Sequence, residues 1–284
     1  MLPMHQINSL TDIKDADCFF VDVYGVLYDG RAYYPWALDI CRRLMENGQA
    51  VYVLSNATTV SSHFIEKHAR LGFIKGVHYT DIITSGDVFG QKLKNGFLND
   101  VVGPDGKWTL IGRPNDRLMA PVIDRFTPEM DKAAVVYFGA LQENGRTFAT
   151  IDPYLPRTQE ALKHHLPAIC ANPDYYAFDG DFKHVVQGSL AQWYEEQGGT
   201  VYWFGKPYPD IYQYALGKAG AVPARTVMVG DTIRTDILGG MQAGLRTVLV
   251  TGTGITADAL ATEPLERLID QQGAAPDYLI DKMQ

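Results

Sequence analysis

The chain has 284 residues, of which 46% are hydrophobic and 20% charged, with a net charge of −8 at pH 7. That size and composition exclude a disordered or low-complexity protein and fit one large domain or two unequal ones around a real core. The acidic balance, with no basic run and no interleaving of aromatic and basic residues, argues against nucleic acid as a partner, and no apolar run approaches membrane-spanning length.

In chain order, CFFVDV reads as a compact buried strand, and WALDICRRLMENG as a helix carrying Trp36, Ile40 and Leu44 on one face and closing on Gly48. AVYVLSNAT is a second strand and HFIEKHARLG its crossover helix. From about residue 86 to 186 the texture changes. KWTLIG and KAAVVYFG read as strands, PYLPRTQEALKHHL as a helix, and the rest is rich in turns. The far end alternates again: TVYWF strand, PDIYQYALGKAG helix, TVMVGD strand, TDILGGMQAG helix and TVLVT strand, before a helical segment interrupted at Pro264 and a short DYLI strand. Alternation of this kind predicts an α/β fold, a doubly wound parallel sheet of the Rossmann-like type. Residues 1–85 and 187–284 are expected to form that core, and 86–186 an inserted α/β domain. Cys18, Cys41 and Cys170 form no CxxC pair and read as buried thiols. With no signal-peptide pattern at the N-terminus, the chain is read as cytoplasmic.

Polar residues recur at strand ends: Asp22, Ser55 with Asn56, and Asp231 after Gly230. Alone, each of the two acids reads as a turn or capping residue. Together they point to a cation, because in open parallel sheets the carboxyl ends of strands converge on one crevice, and adjacent carboxylates repel unless a positive charge lies between them. Ser55 and Asn56 precede a helix and suit an oxyanion, or else simply cap that helix. Lys206 in GKPYPDIY would place an ammonium near the acids. Asp236 either favours the first turn of its helix or serves the site by holding Lys206 or a metal-bound water.

The ordered set DVYGVLYDG, VLSNAT, FGKPYPDIY and MVGDTIRTDILGGMQAG, with a large insert between the second and third, resembles the haloacid dehalogenase superfamily of hydrolases, and within it class IIA, the NagD-like proteins. The resemblance spans nearly the whole chain and implies a core with a C2-type cap at 86–186. It also implies a phosphatase for a small phosphorylated metabolite: a sugar phosphate, a nucleotide or a cofactor phosphate. By this resemblance Asp22 is the nucleophile that forms an aspartyl-phosphate. Asp22, the Tyr24 carbonyl and Asp231 hold Mg²⁺, Ser55, Asn56 and Lys206 bind the phosphoryl group, and cap-mediated homodimers are an expectation. The cap stretch ANPDYYAFDGD resembles the NPD segment of that class, which makes Asn172 and Asp174 candidates for substrate contact or for organising the cap loop. Tyr175, Tyr176 and Phe178 read as cap core, with stacking on a substrate ring as the alternative.

Tyr24 departs from the pattern. Most phosphatases that the chain resembles carry a second Asp at this position, which protonates the leaving alkoxide and activates water. A phenol with a pKa near 10 is a weak substitute. Three readings follow: a phosphatase that uses another acid or favours good leaving groups; a protein that binds phosphate ligands without efficient chemistry; and a 2-haloacid dehalogenase, whose D-x-Y-G-x-L motif resembles Asp22–Leu27. Dehalogenases need no Mg²⁺ and usually lack the acidic strand end that MVGDTIRTD preserves, so the phosphatase reading is preferred.

Overall fold

Strand Cys18–Val21 is buried along its whole length and is one of the central strands of a seven-stranded parallel sheet, next to the middle one. The strand order is His5–Gln6, Tyr278–Ile280, Arg246–Val250, Thr226–Gly230, Cys18–Val21, Ala50–Ser55 and Asp81–Thr84. The computed structural model describes residues 4–113 and 116–284. Side chains alternate across Cys18–Val21 with period two. Phe19 and Val21 join one apolar cluster with Val51, Val53, Val227 and Val229, covered by Ala37, Ile40, Cys41 and Leu44 of helix Pro35–Glu46. Cys18 and Phe20 join the opposite cluster with Tyr52, Leu54 and Met228, covered by Ile211, Tyr212 and Ala215 of helix Pro209–Ala219. A strand that buries both faces must be apolar throughout, and so CFFV carries no polar residue until Asp22.

Helix Pro35–Glu46 begins with proline at its first turn, where a missing N–H costs nothing, and Gly48 follows it at φ +80°, a backbone conformation that glycine adopts without strain. From Cys18–Val21 the chain winds through Ala50–Ser55 and Asp81–Thr84 to one side. It later returns through Thr226–Gly230, Arg246–Val250 and Tyr278–Ile280 to the other. The winding direction therefore reverses between Cys18–Val21 and Thr226–Gly230, and their carboxyl ends flank the crevice where such sheets bind ligands.

A second, four-stranded parallel sheet has the order Val201–Trp203, Ala168–Cys170, Val135–Phe138 and Trp108–Ile111. The boundary expected after residue 186 does not match this pairing. Val201–Trp203 bonds to Ala168–Cys170, and Leu190, Ala191 and Tyr194 of helix Gln187–Glu196 pack in the core of the second sheet. The physical reason is that TVYWF has the same local pattern whichever parallel sheet it joins, since only its partner decides. At the other crossing, Phe89 and Leu93 of helix Ser85–Lys94 pack with Tyr137 and Phe204 in a cluster of the second sheet. An antiparallel hairpin, Tyr176–Asp179 with Phe182–Val185, leans over the core. Its turn meets the Asp29–Arg31 turn, where Asp29 Oδ1 accepts from Arg31 and Ala32 N–H at 2.7 Å and Arg31 Nε approaches Asp179 Oδ1 at 3.4 Å. Among the described residues no helix is long and apolar enough to cross a membrane.

Against Tyr28, Tyr33 and Phe64 lies a buried imidazole. His68 is 1% exposed, stacks on Phe64 at 3.8 Å, and meets the Tyr33 hydroxyl at 2.7 Å through Nδ1. Burial, with a smaller push from Lys67, lowers its pKa from 6.5 to about 4. Above pH 6.5 the ring is neutral in both the folded and the unfolded chain. As pH falls from 6.5 towards 4, the unfolded chain takes up a proton that the folded ring refuses, so stability is lost across that window. We expect wild type to lose up to about 3 kcal/mol there relative to His68→Gln, read as the pH dependence of the difference in denaturant unfolding free energy. A constant difference between the two proteins over this range would refute the assignment.

Candidate active site

Asp22 follows directly on strand Cys18–Val21, its N–H donating to the Val229 carbonyl at 2.9 Å, and its side chain is 13% exposed. Asp231 follows Gly230 at the end of the neighbouring strand and is buried. Asp236 lies in one wide π-type turn, Ile233–Ile237, that continues as helix Leu238–Gln242. Such turns displace a residue from ordinary helical spacing, and here Asp236 Oδ2 accepts from Thr232 N–H at 3.1 Å. One oxygen from each of Asp22, Asp231 and Asp236 can be chosen so that all three lie within 4.8 Å of one another.

Lys206, 1% exposed, enters this cluster. Its Nζ donates to Asp22 Oδ1 at 2.5 Å and to Asp236 Oδ1 at 2.7 Å. Burial favours the neutral amine, but the carboxylates of Asp22, Asp236 and Asp174 outweigh it, so Lys206 is held as the ammonium. Asp236 is pushed up to about 7 by burial, against the pull of Lys206. Asp231 is raised well above the carboxylate range by burial, with the charges of Asp22 and Asp236 adding. Its Oδ2 accepts from Ile255 N–H at 2.6 Å, and no ion pair reaches it among the described residues. Glycine is required beside it: a Cβ on Gly254, at φ +72°, would lie 1.9 Å from Asp231 Oδ2, and one on Gly25, at φ +81°, 2.4 Å.

Ser55 and Asn56 end the adjacent strand and are each 2% exposed. The Ser55 hydroxyl borders the cavity and accepts from Ala57 N–H at 3.2 Å. Asn56 was expected to bind a phosphoryl oxygen, and its side chain is engaged at both ends. Its Oδ1 accepts from Lys206 N–H at 2.7 Å, and its Nδ2 donates to Asp174 Oδ1 at 2.8 Å and to the Lys206 carbonyl at 3.2 Å. In this arrangement it fixes the lysine and the cap loop.

Tyr24 borders the cavity, sets its ring edge-on to Tyr28 at 5.6 Å and packs on the apolar cluster beneath. Burial, with the charges of Tyr28 and Asp22 adding, pushes its phenol up to about 12, so it stays neutral at physiological pH. Its carbonyl accepts no main-chain hydrogen bond among the described residues.

The cap loop brings both of its expected residues to the cavity, which has a volume of about 990 Å³. Asn172 Oδ1 accepts from Asp174 N–H at 3.1 Å and its Nδ2 donates to Gln187 Oε1 at 3.3 Å, a local turn that shapes the loop. Asp174 reaches Asn56. Tyr175, Tyr176 and Phe178 line the cavity instead of filling the cap core, because the hairpin that bears two of them is thin and one-sided. Sequence reasoning passed over Arg234, whose guanidinium lies 3.7 Å over the Tyr175 ring and donates to the Pro173 carbonyl at 2.5 Å. Its only signal was its place between Asp231 and Asp236 in GDTIRTD.

Residues 19–120 match the family described as haloacid dehalogenase-like hydrolase, and residues 203–283 match a second, HAD-hydrolase-like family. Mouse chronophin is 27% identical over 95% of this chain and 92% of its own length. The ribonucleotide monophosphatase NagD of Escherichia coli K12 is 28% identical over 89% and 93%. The chain belongs to the haloacid dehalogenase-like hydrolases. Within these hydrolases it is a class IIA, NagD-like member, as the motif order and cap position implied. The fold is shared with a haloacid dehalogenase-like hydrolase from Brucella suis, at a TM-score of 0.83 and 24% identity over 98% of this chain and 100% of that one.

Proposed function

We propose that the protein is a Mg²⁺-dependent phosphatase that hydrolyses a small phosphorylated metabolite through an aspartyl-phosphate on Asp22. The observation that carries this reading is the seating of a single ammonium, Lys206 Nζ, between Asp22 and Asp236 while a third buried carboxylate, Asp231, shares the crevice. Three carboxylates against one cation leave negative charge that a hard divalent ion would offset. Asp22, Asp231 and the unengaged Tyr24 carbonyl are the oxygen donors that would hold it. When bound, Mg²⁺ supplies positive charge against the phosphoryl oxygens.

The remaining work falls to the chain. The Asp22 carboxylate is a nucleophile whose approach to a phosphate is opposed by like charge, and Lys206 at 2.5 Å lowers that repulsion. Asn56 and Asp236 fix the lysine, so its charge is already in place when the equatorial oxygens develop theirs. The Ser55 hydroxyl can turn from Ala57 to donate to a phosphoryl oxygen. The cap carries the surface that chooses among sugar, nucleotide and cofactor phosphates. Three buried free thiols support a cytoplasmic setting for this activity.

A panel of such phosphates and an aryl phosphate, assayed with Mg²⁺ and with chelator, tests the reading. Metal-dependent release of inorganic phosphate from at least one ester is the expected result. Tight phosphate binding with no turnover on any of them would instead favour the non-catalytic binding reading. Chloride release from a 2-chloroacid without metal would favour the dehalogenase.

A further inference from the structure

We propose that Asp174, from the cap loop, is the general acid and base of the reaction, taking the part that the Tyr24 phenol cannot. The inference rests on the phosphatase reading above. It starts from a vacancy in the chemistry: an alkoxide leaving group needs a proton, and water needs a base to attack the phosphoenzyme. Of the ionisable side chains that feel the charge of Asp22, Lys206 and Asp236 are bound to each other, Asp231 holds the Ile255 N–H beside the expected cation, Tyr24 keeps its proton to about pH 12, and the buried Tyr212 hydroxyl donates to the Thr235 carbonyl, with burial holding it neutral. Asp174 is left.

Its placement suits the role. In an in-line displacement the nucleophile and the leaving group lie on opposite sides of phosphorus. Asp22 comes from the core sheet, whereas Asp174 comes from the cap loop after strand Ala168–Cys170 and lines the same cavity. One carboxyl oxygen accepts from Asn56 Nδ2 at 2.8 Å, and the other has no hydrogen-bond donor among the described residues. The loop is pinned. Arg234 holds the Pro173 carbonyl at 2.5 Å and packs on Tyr175, and Asn172 Oδ1 accepts from the Asp174 N–H. The charged and titratable groups that act on the Asp174 carboxyl are Lys206, Asp22, Arg234, Asp236 and Tyr212, with Asn56 as its hydrogen-bond donor. Burial, aided by Asp22 and opposed by Lys206, Asn56 and Arg234, raises its pKa and favours a carboxylic acid that can donate.

As Asp22 forms its bond to phosphorus and the P–OR bond breaks, the Asp174 proton passes to the departing oxygen. The alcohol leaves as ROH and Asp174 remains as carboxylate. Asp174 then takes a proton from water as the water oxygen bonds to phosphorus and the bond to Asp22 Oδ breaks. Inorganic phosphate departs, with Asp22 again a carboxylate and Asp174 again an acid.

The test is the dependence of kcat/KM, which reports steps through phosphorylation, on leaving-group pKa. A series from 4-nitrophenyl through phenyl to alkyl phosphates is run with Mg²⁺ on wild type and on Asp174→Asn. The amide oxygen of that variant can still accept from Asn56. We expect Asp174→Asn to lose about 10²- to 10³-fold on alkyl phosphates and less than about tenfold on 4-nitrophenyl phosphate, whose leaving group needs no proton. An equal loss across the series would make Asp174 a structural tie to Asn56 and overturn the proposal, as would no loss. If the variant does not fold, the wild-type pH profile decides. Alkyl-phosphate kcat/KM falling as pH rises through the Asp174 pKa, with 4-nitrophenyl phosphate unaffected, supports the role, and parallel profiles refute it. Wild type inactive on every ester would sink the phosphatase reading itself, a different outcome from an active enzyme indifferent to Asp174.

Discussion

Asp22→Asn is expected to lower Mg²⁺-dependent phosphate release by about 10³-fold or more while leaving the fold intact. The amide has no lone pair basic enough to attack phosphorus, so the covalent route closes. The side chain otherwise changes little: its oxygen can still accept from Lys206 Nζ, now 2.5 Å from Asp22 Oδ1. Removal of one negative charge beside an incoming phosphate should, if anything, tighten substrate binding. The expected signature is therefore a collapse of kcat with an unchanged or lower KM and an unchanged unfolding midpoint. Turnover within tenfold of wild type would place the nucleophile elsewhere.

Lys206→Met is expected to damage both activity and stability. Lys206 lies 1% exposed between two carboxylates, and removing one member of a buried ion network leaves charge without a partner. Such losses run to about 3–5 kcal/mol. Protonation of Asp236, already raised to about 7 by burial, should absorb part of this below neutral pH, so the deficit should shrink as pH falls. For catalysis, loss of a preorganised cation near the transferring group should cost about 10²- to 10³-fold in kcat. Urea unfolding at two pH values and steady-state kinetics on an aryl phosphate read the two effects separately. A variant as stable as wild type at pH 8 would show that the ammonium does not hold the cluster together.

The core of this fold was legible because its central strands obey a simple constraint. CFFV and VMVG are buried on both faces, which forces an unbroken apolar run, and the first polar residue after each run then marks the strand end. That is why Asp22 and Asp231 stand out in the sequence, and why their convergence follows from sheet topology alone. The second boundary was illegible for the opposite reason. Val201–Trp203 is only three residues long and partly exposed, and its membership depends on a pairing with Ala168–Cys170, some thirty residues away in sequence. No local pattern records that choice.

The same limit applies within the site. Asn56 reads as a phosphate ligand because it ends a strand before a helix, and nothing local shows that its side-chain amide is used by Lys206 and Asp174, respectively 150 and 118 residues distant. Such long-range hydrogen bonds leave no spacing to detect. Tyr24 was visible at once as a departure, but its consequence was not. Only its burial against Tyr28 and the core explains why its phenol is pushed further from the range of a useful base, and only the structure shows that the cap loop brings another carboxyl, that of Asp174, to the same cavity.

The central claim is a covalent phosphoenzyme at Asp22, and acid-quench trapping during turnover tests it most directly. Enzyme and Mg²⁺ are mixed with an ester labelled in its phosphoryl group, quenched in the millisecond range and reduced with borohydride, which converts an aspartyl-phosphate to homoserine. The account predicts protein-bound label in wild type and homoserine at position 22 by peptide mass spectrometry, with neither in Asp22→Asn. Metal-dependent turnover with no label on the protein, or label on a residue other than Asp22, would contradict it.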